Sequence, residues 1–286
     1  MAKKKLMIND FYQMKRESRK ITWLTSYDFP TAQFAEAAGL DMLLVGDSLG
    51  MCVYGYPSTV PVTMDQCIVH CDAVRRGAPN TFVIGDMPFL SYQSSNEKAV
   101  ENAGRFLKEA SVDAIKLEGG VRVAPRIQAI ADAGILVVGH IGLTPQSSGV
   151  LGGHKAQGRT AEAAKLVVED ALAVQNAGAH MILVEAVPPE VTRYIHQVLT
   201  IPVLSIGAGP HCDGQLLIVS DMIGQFQAFT PKFVKKYCNV AETVIKAMSE
   251  YCEEVRAGAF PGGEHCYRMI ENEEAKFLEL MGADRK

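Results

Sequence analysis

Apolar residues along this chain alternate between two patterns. Short, nearly unbroken runs recur at 21–27 (ITWLTSY), 41–46 (DMLLVG), 81–86 (TFVIGD), 113–118 (DAIKLE), 135–140 (ILVVGH), 180–186 (HMILVEA), 202–207 (PVLSIG) and 215–221 (QLLIVSD). Runs of this length, apolar nearly throughout, predict strands of a parallel sheet covered on both faces. Most of the intervals carry helical spacing instead, over 30–38, 64–76, 97–110, 123–133, 161–177 and 188–199. Their ends agree with the periodicity: Thr63 precedes one helix, an SSNE opening another, and Pro188 and Pro189 begin a third. Gly77, Gly134 and Gly178 stand where helices stop. Eight strands alternating with helices predict a (β/α)8 TIM barrel, an α/β fold. The barrel is expected as a single domain over residues 1–286, with a short N-terminal extension and a C-terminal helical tail. A doubly wound open sheet is the alternative fold, and the strand count favours the barrel.

Composition narrows the function classes. With 286 residues, 48% hydrophobic and 21% charged, the chain can bury a large core. A net charge of −4, with 28 Lys and Arg against 32 Asp and Glu, argues against a nucleic-acid binder that works through a basic surface. The basic start MAKKKLMINDF leads into no signal-type apolar stretch, and no run approaches a membrane span. A cytoplasmic protein with no membrane and no nucleic-acid partner is expected. Seven cysteines without framework spacing suggest reduced thiols. Cys67, His70 and Cys71 share a helical face, but no fourth ligand stands nearby, so buried thiols are expected there rather than zinc.

In a barrel, active sites sit at the C-terminal ends of the strands, and the polar residues that interrupt these runs fall there. The second run delivers Asp47 and Ser48, the third Asp86, the fourth Lys116 and Glu118, the fifth His140, the sixth Glu185 and the eighth Asp221. Lys116 and Glu118 are two apart on one strand and therefore face the same way. Asp47, Asp86 and Glu118 supply the oxygen ligands that a hard cation such as Mg²⁺ takes. Together with a lysine and a separate acid, they suit abstraction of a proton next to a carbonyl. On this reading Lys116 and Ser48 hold the carboxylate of a 2-oxo acid, and Glu185 accepts the proton. His140 either bonds a carbonyl or lies against the substrate. Asp221 is expected to cap a turn or pair with a cation. The stretch IGAGPHCDG has Cys212 where a dinucleotide fingerprint needs its last glycine, so a tight turn or close backbone approach is expected instead.

An ordered set of motifs carries a family resemblance: VGDSLGM (45–51), GYPSTVPVTMDQ (55–66), GDMPFLSY (85–92), KLEGG (116–120), GHIGLTPQS (139–147), LGGHKAQGR (151–159), IGAGPHCDGQ (206–215) and GAFPGGEH (258–265). Over roughly residues 8–268 the chain resembles the ketopantoate hydroxymethyltransferase family. The resemblance implies a (β/α)8 barrel of the phosphoenolpyruvate mutase/isocitrate lyase superfamily. It also implies transfer of a hydroxymethyl group from 5,10-methylenetetrahydrofolate to 3-methyl-2-oxobutanoate, giving 2-dehydropantoate for pantothenate and coenzyme A, through a metal-stabilised enolate. Carried over, Asp47, Asp86 and Glu118 match the metal positions for one Mg²⁺ per subunit. Asp47, Ser48, Asp86, Lys116 and His140 match substrate-contacting positions, and Glu185 the proton acceptor. A homodecamer of two pentameric rings is implied as well. The chain departs from the family at Leu90, where glycine is common, at Ala186, and at Ser148-Gly149, places that bear on loop fit more than on chemistry. Two other readings compete. One is a metal-dependent 2-oxo-acid lyase or mutase of the same superfamily, disfavoured by the lack of a K-K-C-G-H-type loop. The other is a non-catalytic small-molecule binder, which would have no use for Glu185.

Overall fold

The eight predicted runs pair in chain order around a closed ring in a computed structural model, which describes residues 4–282. The first three and last four residues of the expected 1–286 domain lie outside the described residues. The strands are β1 (Ile21–Thr25), β2 (Met42–Val45), β3 (Phe82–Asp86), β4 (Ala114–Glu118), β5 (Val137–Gly142), β6 (Met181–Glu185), β7 (Val203–Ile206) and β8 (Gly214–Leu217). Every pairing is parallel, and β8 returns to β1 with Trp23 opposite Leu216. The fold is the expected TIM barrel.

Strand alternation splits the core into two layers. Trp23, Met42, Leu44, Phe82, Ile84, Val138, Met181, Leu183, Leu204 and Leu216 cluster together and fill the barrel. Their neighbours Leu43, Val45, Val83, Ile115, Leu117, Ile182, Val184 and Val203 pack in a separate cluster with the surrounding helices. Because successive strand residues face opposite ways, Asp86, Lys116, Glu118, His140 and Glu185 share the inward register with the first set. Outward glycines let helices approach closely. A Cβ on Gly85 would lie 2.5 Å from the ring of Phe106, and one on Gly139 2.3 Å from Val174.

The outer helices Phe29–Ala37, Met64–Gly77, Asn96–Ala110, Ala124–Asp132, Ala161–Asn176 and Pro189–Val198 match the predicted ones within a residue or two. Thr63 caps its helix as expected, its hydroxyl accepting from Gln66 N–H while Gln66 accepts from Thr63 N–H. Two features differ from the sequence expectation, and one turn follows it. A helix, Ile8–Arg16, buries Phe11 and Met14 in the barrel-interior cluster, with Phe11 edge-on to Phe82 at 5.1 Å. Between β7 and β8 the chain returns through residues 207–213 without a helix, in the tight turn expected of IGAGPHCDG, using left-handed Gly207 (φ +67°) and Gly209 (φ +87°). The eighth run leaves the sheet at Leu217, because Val219 N–H donates to Thr25 Oγ1 rather than extending the ladder. Asp221 therefore lies in the helical turn Val219–Met222 and not at a strand end.

The chain divides into two compact units, one up to Cys238 that holds the barrel and one from Asn239 onward. The second contains the helices Val240–Ala257 and Glu273–Leu280, neither with a buried residue. No helix among the described residues is long and apolar enough to cross a membrane.

Candidate active site

The strand ends open into a cavity of about 650 Å³ whose wall includes Asp47, Ser48, Asp86, Lys116, Glu118, His140 and Glu185. Seven of the eight positions singled out in the sequence are brought together here, and the eighth, Asp221, lines the same cavity. Register explains much of this: Asp86 stands opposite Lys116, and Glu118 opposite His140.

Lys116 is the hub. Its Nζ lies 2.8 Å from Asp86 Oδ1, 3.7 Å from Glu118 Oε1 and 3.3 Å from His140 Nδ1, with the lysine 2% exposed. Burial works against its charge, but Asp86, Glu118 and Asp47 outweigh that and raise its pKa. His140 spans two acids, with Nδ1 3.3 Å from Glu118 Oε1 and Nε2 3.1 Å from Glu185 Oε2. Burial and the Lys116 charge push the histidine down, yet its contacts with Glu118 and Glu185 prevail and lift it to about 9. Burial alone would raise Glu118, but Lys116 and His140 bring it below its usual value.

Two residues that sequence reasoning passed over organise these acids. The Gln146 backbone N–H donates to Glu118 Oε2 (3.0 Å), and its Nε2 donates to Asp47 Oδ2 and to the Met87 carbonyl (2.9 Å each). Tyr92 hydroxyl donates to Gln146 Oε1 (2.8 Å) and accepts from Glu118 N–H (3.0 Å). Both residues lie inside quoted motifs, but nothing in periodicity or spacing marks a glutamine in a Pro145–Ser147 turn as a bridge. Ser48 Oγ lies 2.8 Å from Tyr27 hydroxyl.

Negative charge remains in excess near Asp47 and Asp86. Burial, reinforced by Asp86 and Glu118, drives Asp47 well above the carboxylate range, and burial also raises Asp86 in spite of Lys116. Asp86 Oδ1 is buried without a hydrogen bond, its contact with Lys116 being an ion contact. Among the described residues no three His, Cys, Asp or Glu side chains are arranged to hold a metal ion. Both Glu118 oxygens are engaged, by Lys116 and His140 on one side and Gln146 on the other. Asp47 Oδ2 accepts from Gln146 and Asp86 Oδ2 from Asp47 N–H (3.0 Å). That leaves Asp47 Oδ1, and the Asp86 Oδ1 that has only its ion contact with Lys116, to receive a cation, and Mg²⁺ is commonly held by one or two carboxylates plus its substrate. The donor set fits.

The other expectations resolve as follows. Cys67 and Cys71 are buried thiols, while His70 turns to the Tyr27 carbonyl and, at 2.9 Å, to Tyr54 hydroxyl. Asp221 neither caps nor pairs: among the described residues no hydrogen bond or ion pair reaches its carboxylate, which faces the same cavity. Leu90 (φ +64°) and Ala186 (φ +49°), where the chain departs from the family pattern, both adopt the left-handed backbone that favours glycine. Ala186 directly follows Glu185, and its N–H donates to Ile206 O at 2.9 Å, which fixes where the carboxylate leaves β6.

A sequence model of a family described as ketopantoate hydroxymethyltransferase matches residues 5–263. The chain is 64% identical to 3-methyl-2-oxobutanoate hydroxymethyltransferase of Alkaliphilus metalliredigens over 96% of each chain. It is 49% identical to the protein of that name from Heliobacterium modesticaldum, over 93% of this chain and 96% of the other. Among solved structures it is similar to a phosphonopyruvate hydrolase complexed with oxalate and Mg²⁺, with a TM-score of 0.60 and 14% identity over 98% of this chain and 96% of that one. A 2,3-dimethylmalate lyase of the phosphoenolpyruvate mutase/isocitrate lyase superfamily gives 0.57 and 16%, over 96% and 98%. At such identities these structures speak for the fold alone.

Proposed function

The chain belongs to the ketopantoate hydroxymethyltransferase family, and from that premise we propose that it transfers a hydroxymethyl group from 5,10-methylenetetrahydrofolate to 3-methyl-2-oxobutanoate, giving 2-dehydropantoate. The observation that carries this reading is the one cavity wall in which a buried lysine, a histidine and four acidic side chains meet at the strand ends. Lys116 and Ser48 bind the carboxylate of the oxo acid. Asp47 and Asp86 hold a divalent cation such as Mg²⁺, one per subunit, and Glu118 anchors Lys116 and His140 behind them. The cation, when bound, supplies Lewis-acid stabilisation of the negative charge that develops on the keto oxygen. Glu185, the most open of these acids to the cavity, takes the proton from C3, and His140 positions it from 3.1 Å. Water opens the methylene bridge of the folate, both of its C–N bonds breaking to leave formaldehyde and tetrahydrofolate. The deprotonated C3 then adds to the formaldehyde carbonyl, and the alkoxide takes up a proton to become the hydroxymethyl group.

The test is proton exchange without folate. Incubation with 3-methyl-2-oxobutanoate in D₂O, followed by NMR, is expected to show loss of the C3 proton with Mg²⁺ and far less without it. No exchange under either condition would overturn the reading. Calorimetric titration adds the metal side: Asp47→Ala and Asp86→Ala are expected to lose Mg²⁺ affinity, and near-native affinity would remove those residues from the metal site. A cytoplasmic homodecamer of two pentameric rings completes the proposal. Phe34 and Val69, exposed on adjacent outer helices, offer apolar surface that an assembly would cover, and light scattering would give its mass.

A further inference from the structure

Asp221 faces the cavity but takes no part in the proton chemistry. It is 4% exposed, and the turn that carries it is pinned by the hydrogen bond from Val219 N–H to Thr25. Among the described residues no donor reaches its carboxylate, and burial, only partly offset by Lys236, pushes its pKa up to about 6. A buried carboxylate without donors is costly unless a ligand supplies them. Around it the same cavity is lined by Phe226, Phe229 and Phe233. Phe226 and Phe229 meet edge to face, centroids 5.5 Å apart at 86°. Phe233 is seated on Gly207, where a Cβ would come within 2.5 Å of its ring. Phenyl walls favour a flat aromatic ring, and a carboxylate accepts two parallel N–H bonds from one edge. In the closed strand order, β7 and β8 lie between Glu185 on β6 and the β1 and β2 ends that carry Thr25 and Ser48. This wall therefore adjoins the proton-transfer groups without containing them. A cavity of about 650 Å³ is of the size that drug-sized ligands fill, far more than a small branched oxo acid needs.

We infer that Asp221 and the rings of Phe226, Phe229 and Phe233 form a subsite for a flat heteroaromatic ring with adjacent N–H donors, the 2-amino-4-oxopyrimidine edge of the folate's pterin. The inference rests on the folate reading above. Asp221 accepts the ring N–H and the exocyclic amino group, the phenyl rings pack on the heterocycle, and the one-carbon unit is aimed at the oxo-acid half of the cavity.

Calorimetric titration of the full-length, Mg²⁺-loaded protein with tetrahydrofolate, and with 6-methyltetrahydropterin, which lacks the aminobenzoyl-glutamate tail, tests this. Asp221→Asn keeps the shape and replaces one acceptor with a donor. It is expected to weaken both probes by the same factor, about ten- to a hundredfold, and to raise the KM for methylenetetrahydrofolate with the KM for the oxo acid unmoved. Phe229→Leu, at a residue 53% exposed and outside the core, is expected to weaken both by a smaller, roughly two- to tenfold, factor. Wild-type affinity for both probes in Asp221→Asn would overturn the subsite alone. So would a loss confined to tetrahydrofolate, or an oxo-acid KM that rises in step. Wild-type protein that binds neither probe would overturn the folate reading and this inference with it.

Discussion

Glu185 reaches the cavity edge from the end of β6, and among the described residues its carboxylate makes one ion contact, with His140, so charge and shape can be separated by substitution. Glu185→Gln is expected to leave Mg²⁺ and oxo-acid binding near normal, because Lys116, Asp47 and Asp86 are untouched. Deuterium exchange at C3 should fall by about 10²–10⁴-fold, the range of a general base. Persistent exchange with failed transfer would move Glu185 to the folate side of the reaction. His140 gives a pH-dependent expectation. Its folded pKa of about 9 lies above the unfolded value near 6.5, so the stability it contributes is fully present below about pH 6.5. That contribution is lost as pH rises through about 9. In metal-free protein the melting temperature is expected to decline across this window, and the decline should flatten in His140→Gln. An equally steep profile in the variant would assign the proton to another group.

At the scale of elements, tight strand–helix seams set the geometry beneath the site. Gly139 immediately precedes His140 and faces outward, with Val174 of the helix Ala161–Asn176 against it. Gly139→Ala forces that helix or β5 to shift and should cost about 1–3 kcal/mol, as overpacking does. A lowered urea midpoint at unchanged m value would show it, and a neutral result would mean that Val174 rotates away freely. Most elements were legible because their periodicity is strong and their ends carry caps: Thr63, Ser95 and Thr160 all accept the N3 N–H. The helix Ile8–Arg16 was not, since only Phe11 and Met14 are buried and so short an apolar stripe does not announce a plug. The turn at Val219–Met222 reads as strand because β-branched Ile218 and Val219 suit a sheet. A hydrogen bond to Thr25, almost two hundred positions away, decides otherwise.

For the whole molecule, the two ends of the barrel divide the work. At the N-terminal end Asp213 is buried against Lys15 (2.9 Å) and His196 (2.8 Å), and it accepts from Val203 N–H (2.8 Å). Asp213→Asn should therefore cost stability on the order of 3 kcal/mol, as breaking a buried pair does, with both KM values unchanged. A changed KM at equal stability would contradict that division. The sequence by itself determined the strand count, the parallel barrel and the set of strand-end acids, because short unbroken apolar runs and helix caps are local properties written residue by residue. It also placed Lys116 and Glu118 on one face, since that needs only the alternation of a strand. Tertiary structure alone decided that Lys116 sits among the acids, and that Gln146 bridges Asp47 to Glu118 across ninety-nine and twenty-eight positions. It alone left Asp221 with no hydrogen bond or ion pair among the described residues. These outcomes depend on which side chains closure of the ring brings within hydrogen-bond range, and that distance is not encoded in any local pattern.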